Sequence, residues 1–579
     1  MALGARREVL RGAALPWRLP TPGILGVVAV ALVLAFLILS PVVALFYGAL
    51  LNAPPGTPGA LSFDAFKEAW SDKDAWSSAL TSLGLALARM AVVIPITLTL
   101  AWAITRTNMP LARLMEALIV SHIFLPFLPL VMSWAVLASP RAGLLNVFLR
   151  GVLHVSETQG PLNIYSYAGL VFLSALGLPA YLYLLVAPAF RSVDASLEES
   201  ARMSGANPIV TLFRVTIPLL APAILGACVL AFVQALQSFE PELVLGTPAG
   251  IFVFSTQIYR YIEGYSTPRY GPATALGSVF LVVTFVLVLA QTRILSGRRY
   301  TTVSGRGFRA RPLDLGQWRW LIFAAVGVYV LFSTLVPLAT LGLASFMKIY
   351  GLFNADWFTT TQYAKLFANP KLLPSLRNTL YLAAGSATLG IALTLFTGYI
   401  SQRTRLAGRG VLDLLTWIPV TVPGIVLAVG LIWAYVGMVR LPFPFYGTVG
   451  LLIVAVTITT LTTGARTMNG TLVQISPELE EAARLHGASF GQMLRRIILP
   501  LMTPAMLSCW LILFAFALKN FVTVSVLYTP QSVVVSALQY ELWSGGQPEA
   551  AAALGTLNML FSIVLVLGYT LLMRRAATR

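Results

Sequence analysis

Apolar runs long enough to cross a lipid bilayer recur along the whole of this 579-residue sequence. A transmembrane helix needs about 20 consecutive apolar residues, and we predict about twelve such spans in two groups of six. The first group comprises residues 22–50, 78–105, 114–138, 165–190, 217–239 and 272–292, and the second comprises residues 319–346, 376–401, 411–438, 446–465, 499–521 and 552–573. With a mean hydropathy of +0.82 and only 10% charged residues, the chain is predicted to be an all-α polytopic membrane protein and not a soluble globular one.

The net charge of +18 is distributed unevenly about these spans. Arginines concentrate in residues 1–21, which we interpret as a cytoplasmic basic arm, and in residues 293–318, which we interpret as a cytoplasmic linker. By the positive-inside rule, this placement predicts that both termini face the cytoplasm of a bacterial inner membrane. The basic charge is therefore attributed to membrane topology and not to nucleic-acid binding. The first span has no small-residue cleavage site before Pro41, so we expect an uncleaved anchor.

A charged segment occurs twice at a fixed distance. Residues 199–205 read ESARMSG and residues 481–487 read EAARLHG, and adding 282 to each number of the first copy gives the second without a gap. The match extends to Pro218 and Pro500. Amphipathic helices that only lie in the membrane interface would not require such a match of register. We therefore favour a docking role for both copies over this alternative.

The second copy has the sequence pattern of a short helix followed by a bend. Ser476 is suited to the N-cap and Pro477 to the first helical position. Glutamates follow in the first turns, where the helix dipole favours acids. Gly487 is suited to the left-handed conformation that ends a helix. A second short helix and an apolar run beginning at Pro500 come next, so the segment lies just ahead of a span.

The two groups of spans follow the same plan. Each carries its charged segment between the fourth and fifth spans, and prolines recur in the third spans, at Pro126 and Pro129 and at Pro419 and Pro423. We therefore predict a parallel duplication. It divides the chain into the arm at 1–21, a first transmembrane domain at 22–292 with its loop at 193–218, the linker at 293–318, and a second transmembrane domain at 319–579 with its loop at 475–500.

The pattern Glu-Ala-Ala, three residues, Gly, nine residues, Ile, one residue, Leu-Pro resembles the EAA loop of permease subunits of binding-protein-dependent ABC importers. Residues 481–500 match it at every defined position, and residues 199–218 match with Ser200, Val215 and Ile217 as mild departures. The resemblance implies two tandem six-helix transmembrane units of the type I ABC importer fold. It also implies that each loop forms a coupling helix that docks on a cytoplasmic ATPase. Two ATPase subunits and a periplasmic solute-binding protein are thus the expected partners.

The residues expected to couple the chain to the ATPases are the acids, small residues and arginines of the two loops. They are Glu198, Glu199, Ala201, Arg202 and Gly205 in the first loop and Glu480, Glu481, Ala482, Ala483, Arg484 and Gly487 in the second. We expect Glu480 and Glu481 to pair with ATPase residues. Ala482 and Ala483 would allow close approach, and Gly205 and Gly487 would supply the bend.

The sequence gives no sign of a nucleotide, metal or catalytic site. None of its six lysines follows a glycine as a P-loop requires, so ATP and magnesium are expected on the partner ATPase, and the chain is predicted not to be an enzyme. Residues 544–547, SGGQ, resemble the signature sequence of ABC ATPases, but they follow a fifth span and we interpret them as a turn. His122, His154 and His486 are dispersed, and the lone Cys228 and Cys509 predict neither a metal site nor a disulfide.

Polar residues near the end of the fifth span of each half are candidates for the translocation pathway, because polar groups in a span often line a route. The candidates are Gln234, Gln237, Ser238, Glu240, Lys519 and Asn520. An alternative that stays open is that they cap helix ends or pair with one another, as Lys519 could with Glu240. Arg89 lies among the apolar residues of the second span and is expected to face the helix bundle or to reach an interface.

The expected solute rests on the resemblance alone. Residues 350–354, 357–359, 541–547 and 550–553 look like ferric-iron importer permeases, whereas related fused permeases handle thiamine, phosphonates or polyamines. In such systems a periplasmic binding protein sets much of the specificity. One rival class is an ion-coupled secondary transporter, which would need intramembrane acids. Another is a membrane scaffold, which would not explain two matched loops.

Overall fold

The computed structural model describes residues 21–154, 159–296, 312–352, 356–404, 408–439 and 444–577. Within these residues the regular structure is helical, with three isolated β-bridges and no strand. The predicted all-α class is therefore confirmed. Residues 1–20 of the predicted arm and residues 297–311 of the predicted linker lie outside the described residues.

The first half alternates long apolar helices with short ones. In chain order its helices are α1 (Thr21–Ala49), α2 (Asp64–Ser71), α3 (Lys73–Arg106), α4 (Ala112–His122), α5 (Phe127–Ala138), α6 (Leu144–Leu153), α7 (Tyr167–Ser192), α8 (Ala195–Met203), α9 (Pro208–Thr211), α10 (Ile217–Leu236), α11 (Phe254–Glu263) and α12 (Tyr270–Ser296). A π-helical turn at Leu212–Thr216 joins α9 to α10, and another at Glu242–Gly246 follows α10.

The second half follows a similar order, although its described residues contain no counterpart of α6. Its helices are α13 (Trp318–Val330), α14 (Val336–Ser345), α15 (Thr361–Ala368), α16 (Leu372–Arg403), α17 (Arg409–Trp417), α18 (Gly424–Ile432), α19 (Val449–Gln474), α20 (Glu478–Leu485), α21 (Phe490–Met493), α22 (Leu499–Leu518), α23 (Val524–Leu527), α24 (Val535–Ser544) and α25 (Pro548–Ala577). π-Helical turns join α13 to α14 and α21 to α22. The described residues contain ten helices long and apolar enough to cross a membrane, or up to twelve if each of two bent pairs is one span.

The third span of each half is bent, which corrects our prediction of continuous spans at 114–138 and 411–438. The chain turns by 99° between α4 and α5, and by 106° between Arg409–Thr421 and Gly424–Met438. Pro126 and Pro423 stand immediately before the second arm of each bend, with extended ψ angles of 129° and 140°. Proline lacks the N–H that continues a helix and disfavours helical backbone in the residue before it. The helix therefore stops there, and the chain changes direction.

Equivalent positions in the two halves have equivalent local structure. The fourth spans α7 and α19 are capped by Ser166 and Thr448, which the same +282 shift superimposes. Their hydroxyls accept the N–H groups of Gly169 (3.1 Å) and Leu451 (3.4 Å). The predicted internal repeat is therefore visible in helix capping as well as in sequence.

The first span of each half lies against the other half. Helix α1 packs on α18 of the second half as well as on α12, and α14 packs on α5 of the first half as well as on α25. On α1, Leu34 and Ile38 are buried in one apolar cluster with Leu393 and Leu412. The two halves are thus interlocked, and their shared interface forms much of the core.

The long second spans define two faces of the bundle. Helices α3 and α16 run from short helices at one end to Arg106 and Arg403 at the other. We call the end with Arg106, Arg403 and the two repeated loops the loop face, and the end with α2, α11, α15 and α24 the opposite face. The described end of the linker lies on the loop face, where the Leu313 N–H donates to the carbonyl of Arg106 at 2.8 Å.

Candidate functional site

Each repeated loop is a helix, a bend and a second short helix, as the sequence predicted. The first helices are α8 and α20, and Gly205 and Gly487 follow them with φ angles of +87° and +76°. The N–H of Gly205 donates to the Arg202 carbonyl at 2.9 Å, and that of Gly487 to the Arg484 carbonyl at 2.8 Å. A side chain with a Cβ rarely adopts this left-handed conformation. Glycine is therefore required for the bend in both copies.

The two loop helices begin differently. In the first loop, the carboxylate of Asp194 accepts the Ser196 N–H at 2.9 Å, and the hydrogen bonds from Ser196 lower the pKa of that carboxyl. In the second loop the helix starts at Glu478, with Pro477 as its N-cap. Ser476, which we predicted to be the N-cap, instead offers its carbonyl to the Leu479 N–H at 3.4 Å. The start is thus shifted by one residue from the prediction.

Glu198 is held by the end of the second span. Its carboxylate lies 2.9 Å from Nη2 of Arg106, and it accepts a hydrogen bond of 2.7 Å from the Thr216 hydroxyl. The Arg106 Nη1 atom also donates to the carbonyl of Val193 at 3.3 Å. Arg106 therefore ties both the start of the loop and its first helix to α3.

The second half repeats this arrangement at Glu480, which is 5% exposed. Its carboxylate lies 3.4 Å from Nε of Arg403 and accepts the Tyr399 hydroxyl at 3.1 Å. Arg403 also donates to the carbonyl of Ile475, the repeat equivalent of Val193. We predicted that Glu480 pairs with an ATPase. The structure corrects this, because the carboxylate is buried and has its partners within the chain. We call the Arg106–Glu198 and Arg403–Glu480 contacts the arginine clamps.

The other predicted coupling residues differ in exposure. Glu199, Arg202 and Ala482 are exposed, Ala201, Glu481 and Arg484 are half-buried, and Ala483 is buried in the chain's own core. Ala483 is therefore not at the surface, in contrast to the close-approach role predicted for it.

Sequence reasoning missed two apolar residues on the loop surface. Met203 is 90% exposed and Leu485 is 88% exposed, and they occupy the same position in the two copies of the loop. Leu197 and Leu479, also a matched pair, are about half exposed. A single exposed apolar side chain is ordinary on a protein surface. The matched positions within otherwise polar helices are the signal that could have identified them.

A cavity of about 410 Å³ lies between the two halves. Of the six pathway candidates, Gln234, Gln237, Ser238, Glu240 and Lys519 line it, together with His122, Tyr181, Thr459, Thr462 and Thr463. Lys519 donates from Nζ to the carbonyl of Ile123, and Gln237 donates to the Val420 carbonyl at 3.5 Å. Asn520 lies beside the lining, where its amide donates to the Thr459 hydroxyl at 3.1 Å. The fold thus brings the fifth spans and both bent third spans to one chamber.

Arg89 faces the bundle, one of the two positions predicted for it. It is 1% exposed, forms an ion pair with the buried Glu242, and donates to the Ala235 carbonyl at 3.0 Å. The Ser238 hydroxyl donates to the other oxygen of Glu242 at 2.8 Å. This network fastens the second span to the end of the fifth and forms part of the cavity wall. Glu242 as the partner was missed because 153 residues separate it from Arg89.

Four aromatic rings meet where the fifth spans end. The ring centroids of Phe239 and Phe521 are 6.2 Å apart. The ring centroid of Phe239 lies 5.5 Å from that of Tyr259 on α11, and the centroid of Phe521 lies 5.3 Å from that of Tyr540 on α24. Phe239 also lines the cavity. We call these four residues the aromatic quartet.

Two features of the described residues bear on the metal site and the signature-like segment considered in the sequence. The described part of the chain contains no group of three or more His, Cys, Asp or Glu side chains placed to hold a metal ion. Residues 544–547 form a turn after α24, in which the Gly546 N–H donates to the Trp543 carbonyl at 3.2 Å. The interpretation of this segment as a turn is therefore confirmed.

Comparison with known proteins gives a family match in both halves. Residues 93–300 and 387–578 each match the family described as "Binding-protein-dependent transport system inner membrane component". The ferric transport system permease protein FbpB of Actinobacillus pleuropneumoniae is 29% identical over 70% of this chain. The putative ferric transport system permease protein FbpB 1 of Haemophilus influenzae is 31% identical over 64%. The chain spans 58% of the length of each of these relatives. The spermidine/putrescine transport system permease protein PotC of Escherichia coli is 27% identical over 41% of this chain and 89% of its own length.

Proposed function

Because the chain belongs to the family of binding-protein-dependent transport system inner membrane components, we propose that it is the translocation subunit of an ATP-driven importer. It is a multi-pass inner-membrane protein of two six-helix units. In the proposed orientation the loop face is cytoplasmic, which agrees with the arginines concentrated there. The observation that carries the proposal is the duplicated loop, which presents an exposed apolar residue at the same position in each copy.

The proposed partners of the loop face are two ATPase subunits that hold ATP and magnesium. Met203 and Leu485 are the proposed anchors, since burying a large apolar side chain contributes about 1.5–3 kcal/mol. Glu199, Arg202 and Glu481 lie beside these anchors and would pair with charged ATPase residues. Interfaces commonly combine a few buried anchors with a polar rim.

The arginine clamps would transmit movement from the loops to the spans. Arg106 and Arg403 end the long helices α3 and α16, which reach the opposite face. A helix of about 30 residues is about 45 Å long, so each clamp connects a loop to a span that crosses the bundle. When the two ATPases close, the loops would approach each other and carry the second spans with them. The cavity between the halves would then change its access from one side of the membrane to the other.

We propose that the cavity is the chamber through which the solute passes. Its wall contains amides, hydroxyls, Lys519 and Glu240, and it draws on both halves as a two-fold pathway requires. A periplasmic binding protein would deliver the solute to the opposite face. The alternative that the polar candidates only cap helix ends is disfavoured by the position of five of them on one cavity.

Ferric iron is the proposed solute. It is supported by the names of the two ferric relatives and by the segments that look like ferric-iron importer permeases. Transport of a polyamine by the same machinery is the second candidate, because a spermidine/putrescine permease is similar to 41% of the chain. Thiamine and phosphonates remain further candidates from the sequence resemblance. Uptake of radiolabelled iron against labelled spermidine in proteoliposomes that contain the complete importer would separate the first two.

Co-purification with a candidate ATPase tests the proposal. The wild type is compared with a Glu199→Lys/Glu481→Lys variant and with a Lys67→Glu/Lys365→Glu control, which changes two exposed side chains on the opposite face. We expect the ATPase to remain with the wild type and the control and to be lost from the loop variant. If no ATPase binds the wild type, the coupling role of the loops is refuted and an ion-coupled secondary transporter becomes the favoured class.

A further inference from the structure

Two ion pairs on the opposite face occupy the same position in the two halves but have reversed polarity. In the first half, Asp74 in the first turn of α3 pairs with Arg260 of α11 at 2.9 Å. In the second half, Lys371 at the start of α16 pairs with Glu541 of α24 at 2.6 Å. Asp74 and Lys371 are equivalent in the two halves, because their residue numbers differ by 297, the same offset that relates Arg106 and Arg403 of the clamps. Arg260 and Glu541 are equivalent in the same sense, because their residue numbers differ by 281, as do those of Tyr259 and Tyr540 in the aromatic quartet.

The reversed polarity indicates that the link matters more than the sign of either charge. Each pair joins the start of a second span to the short helix that follows the fifth span. The residue on the second span is an acid in the first half and a base in the second half. A hydrogen bond from a backbone N–H to a hydroxyl of the second span makes the same connection in each half. The Phe254 N–H donates to the Ser82 hydroxyl and the Val535 N–H donates to the Thr379 hydroxyl, both at 2.8 Å. Both halves therefore hold this short helix against the second span.

The short helices α11 and α24 carry the tyrosines of the aromatic quartet. Tyr259 precedes Arg260 and Tyr540 precedes Glu541, so each ion pair is adjacent in sequence to a ring that contacts Phe239 or Phe521. The two phenylalanines contact each other across the junction of the halves, and Phe239 lines the cavity. A displacement of α11 or α24 from its second span would remove the support of one phenylalanine.

We propose that the aromatic quartet is the outer seal of the cavity and that the Asp74–Arg260 and Lys371–Glu541 pairs are its latches. This inference rests on the proposed function for the orientation of the chain. The latch residues are positioning residues that do not touch the solute. In this proposal both latches release when the outer side opens to the binding protein, and α11 and α24 then carry their tyrosines away from the phenylalanines they support. Each pair is partly exposed, so a latch is weak enough to be broken in every transport cycle.

Charge reversal tests the latch, with the second half as the template. Asp74→Lys and Arg260→Glu each break the first latch, and the Asp74→Lys/Arg260→Glu double variant gives it the polarity of Lys371–Glu541. The reporter is Ser238→Cys in a chain in which Cys228 and Cys509 are replaced by alanine. Its rate of reaction with a membrane-impermeant maleimide is measured in right-side-out vesicles that contain the complete importer without nucleotide.

We expect each single reversal to speed labelling by about two- to fivefold, the range that corresponds to a partly exposed ion pair. The double variant should return to the parental rate. A control reversal of the exposed Asp64–Lys67 pair on α2, 3.8 Å apart, should leave the rate unchanged. Unchanged labelling in both single variants would overturn the latch, as would a double variant that labels as fast as the single ones.

The failure of the seal is distinguishable from the failure of the proposed function. If the parental reporter reacts rapidly from the outer side in the absence of nucleotide, the quartet is not a seal, although co-purification of the ATPase would still support the importer. If the reporter reacts only from the outer side and no ATPase co-purifies, both the proposed function and the latch cycle are refuted. Slow reaction from the outer side together with retention of the ATPase supports both.

Discussion

The carboxylate of Glu480 lies 3.4 Å from Nε of Arg403, and Glu198 and Arg106 make the equivalent contact in the other half at 2.9 Å. Each contact joins the helix of a repeated loop to the last residue of a long span. Beside this ion pair, the glutamate accepts a hydrogen bond from Tyr399 of the second span in one half and from Thr216 after the loop in the other. The same connection is therefore completed by different elements.

The clamp of the second half should contribute more to stability than that of the first. Arg403→Met leaves the carboxylate of Glu480 buried without its cation, and breaking a buried pair in this way costs roughly 3–5 kcal/mol. Arg106→Met is the matched change, but the Glu198 side chain is 21% exposed and is therefore solvated in part. We expect a larger fall in the thermal unfolding midpoint for Arg403→Met, measured in detergent. Equal falls would contradict the difference in burial.

The bend at Gly487 should not tolerate a β-branched residue. Its φ of +76° is strained for any side chain with a Cβ, yet no atom lies within 4 Å of the place a Cβ would take. Gly487→Val should therefore add about 1 kcal/mol or more of backbone strain with no steric clash. We expect transport to fall while expression persists. Gly491→Val is the control, because that position is equally open but has no positive φ; normal transport by Gly487→Val would refute the role of the bend.

The sequence predicts the features that depend on local pattern. The spans follow from runs of apolar residues, and the bends at Gly205 and Gly487 follow from glycine at a helix end. The bent third spans were not predicted, because prolines such as Pro126 and Pro423 also occur within continuous spans, where neighbouring helices satisfy the freed backbone. Their presence alone does not fix the direction of the chain.

The long-range contacts could not be found with a single offset between the halves. Loops and fifth spans repeat with a shift of +282 in residue number, but the second spans repeat with a shift of +297, as Arg106 and Arg403 show. The segment between the second span and the loop is therefore shorter in the second half. A comparison at the first shift alone cannot align both members of a clamp. The exposure of Met203 and Leu485 was accessible from the sequence, since both match at that shift within polar helices.

The exposed apolar pair should be needed for ATPase binding but not for folding. Met203→Asp and Leu485→Asp place a charge where the side chain is already about 90% in solvent, so stability should change by less than about 0.5 kcal/mol. Burial of that charge in an interface would be unfavourable. We therefore expect retention of the candidate ATPase to fall tenfold or more, which corresponds to about 1.4 kcal/mol. Asp substitution at the exposed Phe367 on the opposite face is the control, and full retention by both loop variants would exclude these anchors.

Removal of both charges of the Arg89–Glu242 pair should have little effect on stability, whereas removal of one charge alone should be strongly destabilising. Equivalent positions of the second half, Ser386 and Val524, carry no charge (shifts of +297 and +282), so the same fold forms without the pair. Arg89→Met should lower stability by roughly 3–5 kcal/mol, because Glu242 stays buried and unpaired. The Arg89→Met/Glu242→Leu double variant should recover most of this loss, since apolar residues of similar volume often replace a buried pair without penalty. Thermal unfolding in detergent measures both effects, and a double variant less stable than Arg89→Met would show that the charges are required together.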